Sequence, residues 1–187
     1  MELKEELVRY ISESKNEPQW MLDIRLRALR LFNKKKVPKW PIPDLNELDL
    51  SEISLYLKNE IKGKKNWEEI PQEIREIYEK MKIPEAEQKY LAGSVVQHKS
   101  ESVYENLRKD YESKGVIFMS LDEALKIYPG LVKKYFSKCV SINDNKYSML
   151  HYALWSGGSF LYIPENVLLD MPVQAYFYMK DKKEGQF

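Results

Sequence analysis

The sequence predicts an α+β chain, mainly helical over residues 1–140 and turning to strands over 141–187. Three observations predict it. Up to Phe136 the chain is a string of charged segments with helical apolar spacing, each with its own start and stop signals. At Asn143-Asp144-Asn145 it turns polar and tight, in residues that tolerate left-handed backbone and bond their own main chain. Beyond Gly157-Gly158 come short apolar runs, SFLYIP, VLLDMP and VQAYFYM, at near-regular spacing and strand-like in composition.

Residues 1–13 fit a short amphipathic helix carrying Leu3, Leu7, Val8 and Ile11. Ser14 and Glu17 have capping-box spacing and Pro18 suits a first turn, opening a helix over about 18–34. Met21, Ile24, Ala28, Leu31 and Phe32 share one face and Leu22, Leu26 and Leu29 another, as in a helix buried on two sides. Arg25, Arg27 and Arg30 interleave with these and read as a solvated or salt-bridged edge rather than an anion site. The prolines of VPKWPIPDL, 37–45, exclude a helix and predict an extended connector. Asp49 and Glu52 form a capping pair for a short helix over about 50–58, and IKGKKN reads as a solvated tip.

Asn66 is placed to cap a helix over 66–82 with Ile70, Ile74, Ile77, Tyr78 and Met81 on its apolar side. Pro84 opens another, which Gly93 is placed to end. SVVQHK, 94–99, fits a strand or a connector. Ser100 then caps a predicted helix with Val103, Leu107 and Tyr111 on one face, stopped by Gly115. VIFM, 116–119, is a strand candidate, and Ser120 and Glu123 box the start of a helix that Pro129 interrupts and 131–136 resumes. MLHYALW, 149–155, fits a helical turn or a buried strand. Periodicity leaves the later strands open among sandwich, barrel and β-helix.

Composition narrows the function class. Thirty basic and 29 acidic side chains give a net charge of +1, no electrostatic reason to expect a polyanion. Lysines at 34–36 and 62–65 are the only basis for a nucleic-acid reading, and no nucleic-acid partner is expected. One cysteine, Cys139, excludes an internal disulfide framework and fits a reducing compartment. No apolar run approaches the roughly 20 residues of a membrane helix, so no membrane partner is expected either. The start, MELKEELVRY, lacks a signal-peptide core, and a cytoplasmic location is expected. The alternative is a plastid- or apicoplast-type organelle, suggested by the Lys-, Asn-, Ile- and Tyr-rich character.

No residue set earns a catalytic, cofactor-binding or metal role. His98 and His151 are 53 residues apart without ligand spacing, and His151 in its apolar run reads as a satisfied, half-buried side chain. Cys139 has no CxxC or cysteine–histidine pattern. Gly157-Gly158 lacks the spacing of a phosphate cradle, and Ser156 and Ser159 beside it form no nucleophile elbow. Asp144 and Asp170 are single carboxylates, and the 13 tyrosines read as packing rather than nucleic-acid stacking. From the residues alone this is a non-catalytic assembly or interaction module.

Four stretches nevertheless carry a resemblance. SKNEPQWMLDIRLRAL (14–29), IPEAEQKYLAG (83–93), GVIFMSLDEALKIYPGLVKKYF (115–136) and NDNKYSMLHYALWSGGSFLYIPENV (143–167) resemble, in order, the SufB family of iron–sulfur cluster assembly scaffolds in the SUF system. The opening stretch is more similar to SufB than to its paralogue SufD. The resemblance implies a helical N-terminal domain over 1–140 and the first strands of a right-handed parallel β-helix over 141–187, truncated there. It implies a scaffold role, not an enzyme, within a SufBCD-like complex. The implied partners are a SufC-like ABC ATPase and a SufD-like paralogue, through contacts mostly beyond residue 187, with self-association of this chain. No cofactor is expected on this stretch, although the full-length family is associated with a transient Fe–S cluster. The family's sulfur-accepting cysteine lies beyond residue 187, so Cys139 is not its counterpart. The alternative is a stand-alone protein-binding module derived from the same N-terminal domain, without cluster-assembly chemistry.

Overall fold

The computed structural model describes residues 3–36, 38, 49–58, 63–179, 181 and 183–187. The connector expected over 37–45 lies, apart from position 38, outside the described residues. In chain order the longer elements are α1 (Glu5–Lys15), α2 (Gln19–Lys34), α3 (Gln72–Lys80), α4 (Ile83–Tyr90), β1 (Gly93–His98), β2 (Glu101–Leu107) and α5 (Lys109–Glu112). They continue with β3 (Ile117–Ser120), α6 (Leu121–Ile127), α7 (Pro129–Tyr135), α8 (Lys146–Leu154), β4 (Ser159–Tyr162) and β5 (Val173–Tyr178). Helix and strand are mixed, and the N-terminal region is helical. The described strands make two small sheets, and they do not show a β-helix.

The chain divides into two compact units. One comprises Met1–Leu57, Leu125–Ser156 and Asp181–Phe187. Its core is Val8 and Ile11 of α1, Ala28, Leu29 and Phe32 of α2, and Met149, Leu150, Ala153 and Leu154 of α8. Asn16, left-handed at φ 54°, ends α1, and Pro18 stands at the N-cap of α2. The predicted box therefore does not form: Ser14 sits inside α1 bonding the Ile11 carbonyl, and Glu17 goes to another partner described below. The amide of Asn33 clamps the chain start, accepting from Leu3 N and donating to Leu3 O at 3.0 Å each. MLHYALW is helix, because Asn145 caps it and five of its nine-residue element's side chains are buried.

The other unit comprises Lys58–Ala124 and Gly157–Lys180. Its three-stranded sheet has the order β2-β1-β5. β1 and β2 form an antiparallel hairpin turned by left-handed Lys99, and β5 lies parallel to β1 from Gly93↔Val173 to His98↔Tyr178. β3 and β4 pair antiparallel from Ile117↔Tyr162 to Ser120↔Ser159. Ile70, Ile74, Tyr78 and Ile83 bury against Val96, Val103 and Tyr104 of the sheet. The Trp67 ring meets Tyr104 edge-on at 5.1 Å and Tyr78 at 6.2 Å, so these tyrosines pack, as read from their spacing.

Several local expectations fail for identifiable reasons. The helix expected from Ser100 is strand β2 plus the single turn α5, because the Lys99 turn folds 101–107 back onto β1. Both faces of that strand are covered, with Val103 and Tyr104 buried in succession, so it shows no alternation and mimics helical spacing. The helix expected over 66–82 splits into a 3₁₀ turn, Trp67–Glu69, and α3, at Pro71, which has no N–H to continue. Asp49 does cap, accepting from Ser51 N at 2.8 Å, but only a 3₁₀ turn, Leu50–Glu52, follows. VLLDMP is not a strand: Leu168 is exposed, and Asp170 accepts the Tyr111 hydroxyl. Gly93 opens β1 instead of closing α4.

Candidate functional site

Among the described residues the clearest concave feature is a cleft of about 540 Å³ beside α8, within the first unit. Asn145 builds one end of it. Its side chain accepts from Tyr147 N at 2.8 Å and Ser148 N at 3.1 Å, satisfying amides that would otherwise be open at the helix start. The facing wall is the segment after α7, where left-handed Ser137 reverses the chain and leaves Lys138, Cys139 and Val140 on the surface. Two contacts hold that segment. The buried Tyr152 hydroxyl donates to the Val140 carbonyl at 2.6 Å, and the Phe136 ring meets Tyr152 edge-on at 5.5 Å. Burial, and then the neighbouring Cys139, push the Tyr152 phenol up, so it stays a neutral donor.

His151 lines the same cleft and is solvent-accessible, which corrects its half-buried reading. The surrounding protein mass, and then the charge of Arg25, hold its imidazole below the usual value, favouring the neutral ring. Cys139 is exposed and also lines the cleft. Residues twelve positions apart are thus brought to one wall, which spacing alone did not signal. His98 is elsewhere, buried and stacked on Tyr178 at 5.7 Å. Among the described residues no three or more His, Cys, Asp or Glu side chains are grouped to hold a metal ion.

Arg25 is the residue sequence reasoning placed worst. It is fully buried, not at an edge. Its Nε and Nη2 donate to the two Glu17 oxygens at 2.7 and 2.5 Å, and Nη1 and Nη2 donate to the Ala153 and Trp155 carbonyls at 3.1 and 2.9 Å. Its guanidinium also lies 4.6 Å from the centre of the Trp155 ring. The signal was present: an arginine among leucines, eight residues after a glutamate.

In the second unit, Gly157 and Gly158 are both left-handed, at φ 70° and 79°. Successive amides in that geometry form a small anion nest. Here the nest is filled from within, since Gly157 N donates to Asp122 Oδ2 at 3.1 Å and Gly158 N to Gln97 Oε1 at 2.8 Å. Glu87 is a second internal hub, accepting from Ser94, Tyr104 and Asn106 side chains. Tyr104 is pushed well up by burial and by that carboxylate.

Glu105 is buried on β2 and accepts from Ser120 N at 2.9 Å. Burial is the main cause that raises its carboxyl above the usual value, and Glu123 adds to it, while the Ser120 bonds and Lys65 oppose. A raised folded-state value means the protonated form is favoured by folding, so this contribution is fully present below the unfolded value and is lost as pH rises through the folded one. Glu105→Gln is therefore expected to become more stable relative to the parent as pH rises from the acid side of that window to neutrality. Urea midpoints of both proteins across that range test it, and a constant difference sinks the assignment.

Fold and cleft together define a mixed helix-and-strand chain with an open binding surface. The family model described as the SufBD protein N-terminal region matches residues 3–175, and the chain belongs to the SufBD family. Similar relatives are an iron-sulfur cluster assembly SufBD family protein of Staphylococcus aureus (strain USA300) and another of Staphylococcus haemolyticus (strain JCSC1435). Each is 49% identical over 185 residues, 99% of this chain and 40% of the relative. The chain thus spans about 40% of the length of the curated relatives it matches.

Proposed function

We propose that this chain is part of a SufB-type scaffold subunit in iron–sulfur cluster assembly, acting through protein contacts in a SufBCD-like complex rather than by catalysis of its own. The observation that carries the reading is the 49% identity, along 99% of the chain, to proteins named for iron–sulfur cluster assembly. The cluster is cargo of the whole assembly, and no residue described here is assigned to hold it. The bacterial relatives support a cytoplasmic place of action, and no described helix is long and apolar enough to cross a membrane.

The parallel β-helix belongs to this proposal too. β5 already lies parallel to β1, and among the described residues no strand pairs with its other edge. That edge suits a further parallel strand. Phe177 and Met179, exposed at 55% and 50%, would be covered by the same continuation. In the chain by itself the open edge favours self-association.

The test joins this chain to the C-terminal remainder of the staphylococcal relative and measures co-purification with a SufC-like ABC ATPase and a SufD-like paralogue. The joined chain is expected to retain both and the shorter one to retain neither, while sedimenting as concentration-dependent oligomers. Failure of the joined, folded chain to retain the ATPase would sink the scaffold reading. Retention by the short chain would favour a stand-alone binding module.

A further inference from the structure

The cleft beside α8 plays no part in the reading above. Four properties fix what it can hold. It is preformed, since Tyr152 ties its outer wall to the helix and Ile142, 8% exposed, anchors the segment behind it. It has apolar surface left open, Tyr135 at 50% and Val140 at 52% exposure. Its polar groups are mostly hydroxyl donors, from Ser137, Tyr147 and Ser148. Its charge has one sign: Lys138 is the formal charge on the wall, and no aspartate or glutamate lines it.

The surrounding sequence keeps the same sign. Residues 128–156 carry Lys133, Lys134, Lys138 and Lys146 against Asp144 alone. Lys133, Lys134 and Lys146 lie over aromatic rings at 5.8, 5.0 and 4.6 Å, which positions cations without neutralising them. Aromatic rim, single-sign cation and fixed walls are the features by which a protein surface recognises a short acidic segment. The volume falls in the range of specific ligand sites and suits a few side chains rather than a whole domain face.

We propose that this cleft docks a short peptide segment of a partner protein in which a carboxylate neighbours an aromatic or apolar side chain. The apolar side chain packs between Tyr135 and Val140, and the carboxylate meets Lys138 and the hydroxyls at the start of α8. Recognition of this kind is set by charge sign, so a basic segment is rejected by Lys138 and the lysines around it.

Cys139 supplies the readout, being the one cysteine of the chain and exposed on the cleft wall. Its alkylation by iodoacetamide is timed in the full chain, alone and with two hexapeptide pools. One pool holds glutamate–phenylalanine at its centre and the other lysine–phenylalanine, with flanking positions varied. The acidic pool is expected to slow alkylation and the basic pool to leave it unchanged. Lys138→Glu, at an exposed position, is expected to weaken protection by the acidic pool roughly tenfold in concentration. Equal protection by both pools, or by neither, overturns the proposal. So does full protection by phenylacetate alone, which assigns the cleft to a small carboxylate. Protection that rises with protein concentration without peptide also overturns it, in favour of a second copy of the chain.

Discussion

Replacing Arg25 with methionine is expected to cost about 3–5 kcal/mol of stability, the largest effect of any single change in the first unit. The reason is what stays behind. The Glu17 side chain is 1% exposed and takes both of its strong hydrogen bonds from this guanidinium. Without Arg25 it is a buried charge with no compensating cation, and the Ala153 and Trp155 carbonyls lose donors as well. Lysine does not rescue the site, since a single ammonium lacks the fork that reaches a carboxylate and two carbonyls together. Adding Glu17→Gln to Arg25→Met is expected to restore part of the loss by removing the orphaned charge. Urea unfolding of the three proteins decides it. An Arg25→Met variant within about 1 kcal/mol of the parent shows that the pair does not hold the end of α8 in place.

Gly93→Ala is expected to damage the second unit by about 3 kcal/mol. A β-carbon at Gly93 would stand 2.5 Å from the Asn106 carbonyl oxygen and 3.1 Å from the Leu107 α-carbon. Both are backbone atoms of the partner strand, so no side chain can rotate away. The β1–β2 hairpin must open at its end, beside the bonds from Arg108 N to Ala92 O and from Ala92 N to Pro172 O. Gly130→Ala is the control: its β-carbon meets nothing within 4 Å, and in the first turn of α7 alanine is tolerated or mildly stabilising. Equal urea midpoints for the two variants would refute the close-approach account.

What the sequence made legible follows from which forces are local. α2, α4 and α6 were readable because Pro18, Pro84 and the Ser120–Glu123 pair act within one turn; Glu123 N indeed donates to Ser120 Oγ at 3.3 Å. β2 was misread because Val103, Leu107 and Tyr111 have helical spacing, and only the Lys99 turn and the strand on its other side show otherwise. The cleft was not legible, since it depends on Ser137 adopting left-handed backbone and on Tyr152 reaching back to Val140. Arg25 was half legible: its salt bridge was among the readings, but its burial depends on α8, about 130 residues later in the chain.

The parallel pairing of β1 with β5 has a consequence for the order of folding. Gly93 meets Val173 and His98 meets Tyr178, so the closing strand is synthesised some 80 residues after its neighbour. Loop-closure entropy disfavours such a contact until local structure has formed. The β1–β2 hairpin and the α1–α2 pair are available early, as contacts between adjacent segments. The β1 edge that β5 later covers must meanwhile wait, unpaired and apolar, on a nascent chain. A ribosome-bound intermediate ending before Val173 is therefore the species of this protein most in need of a chaperone.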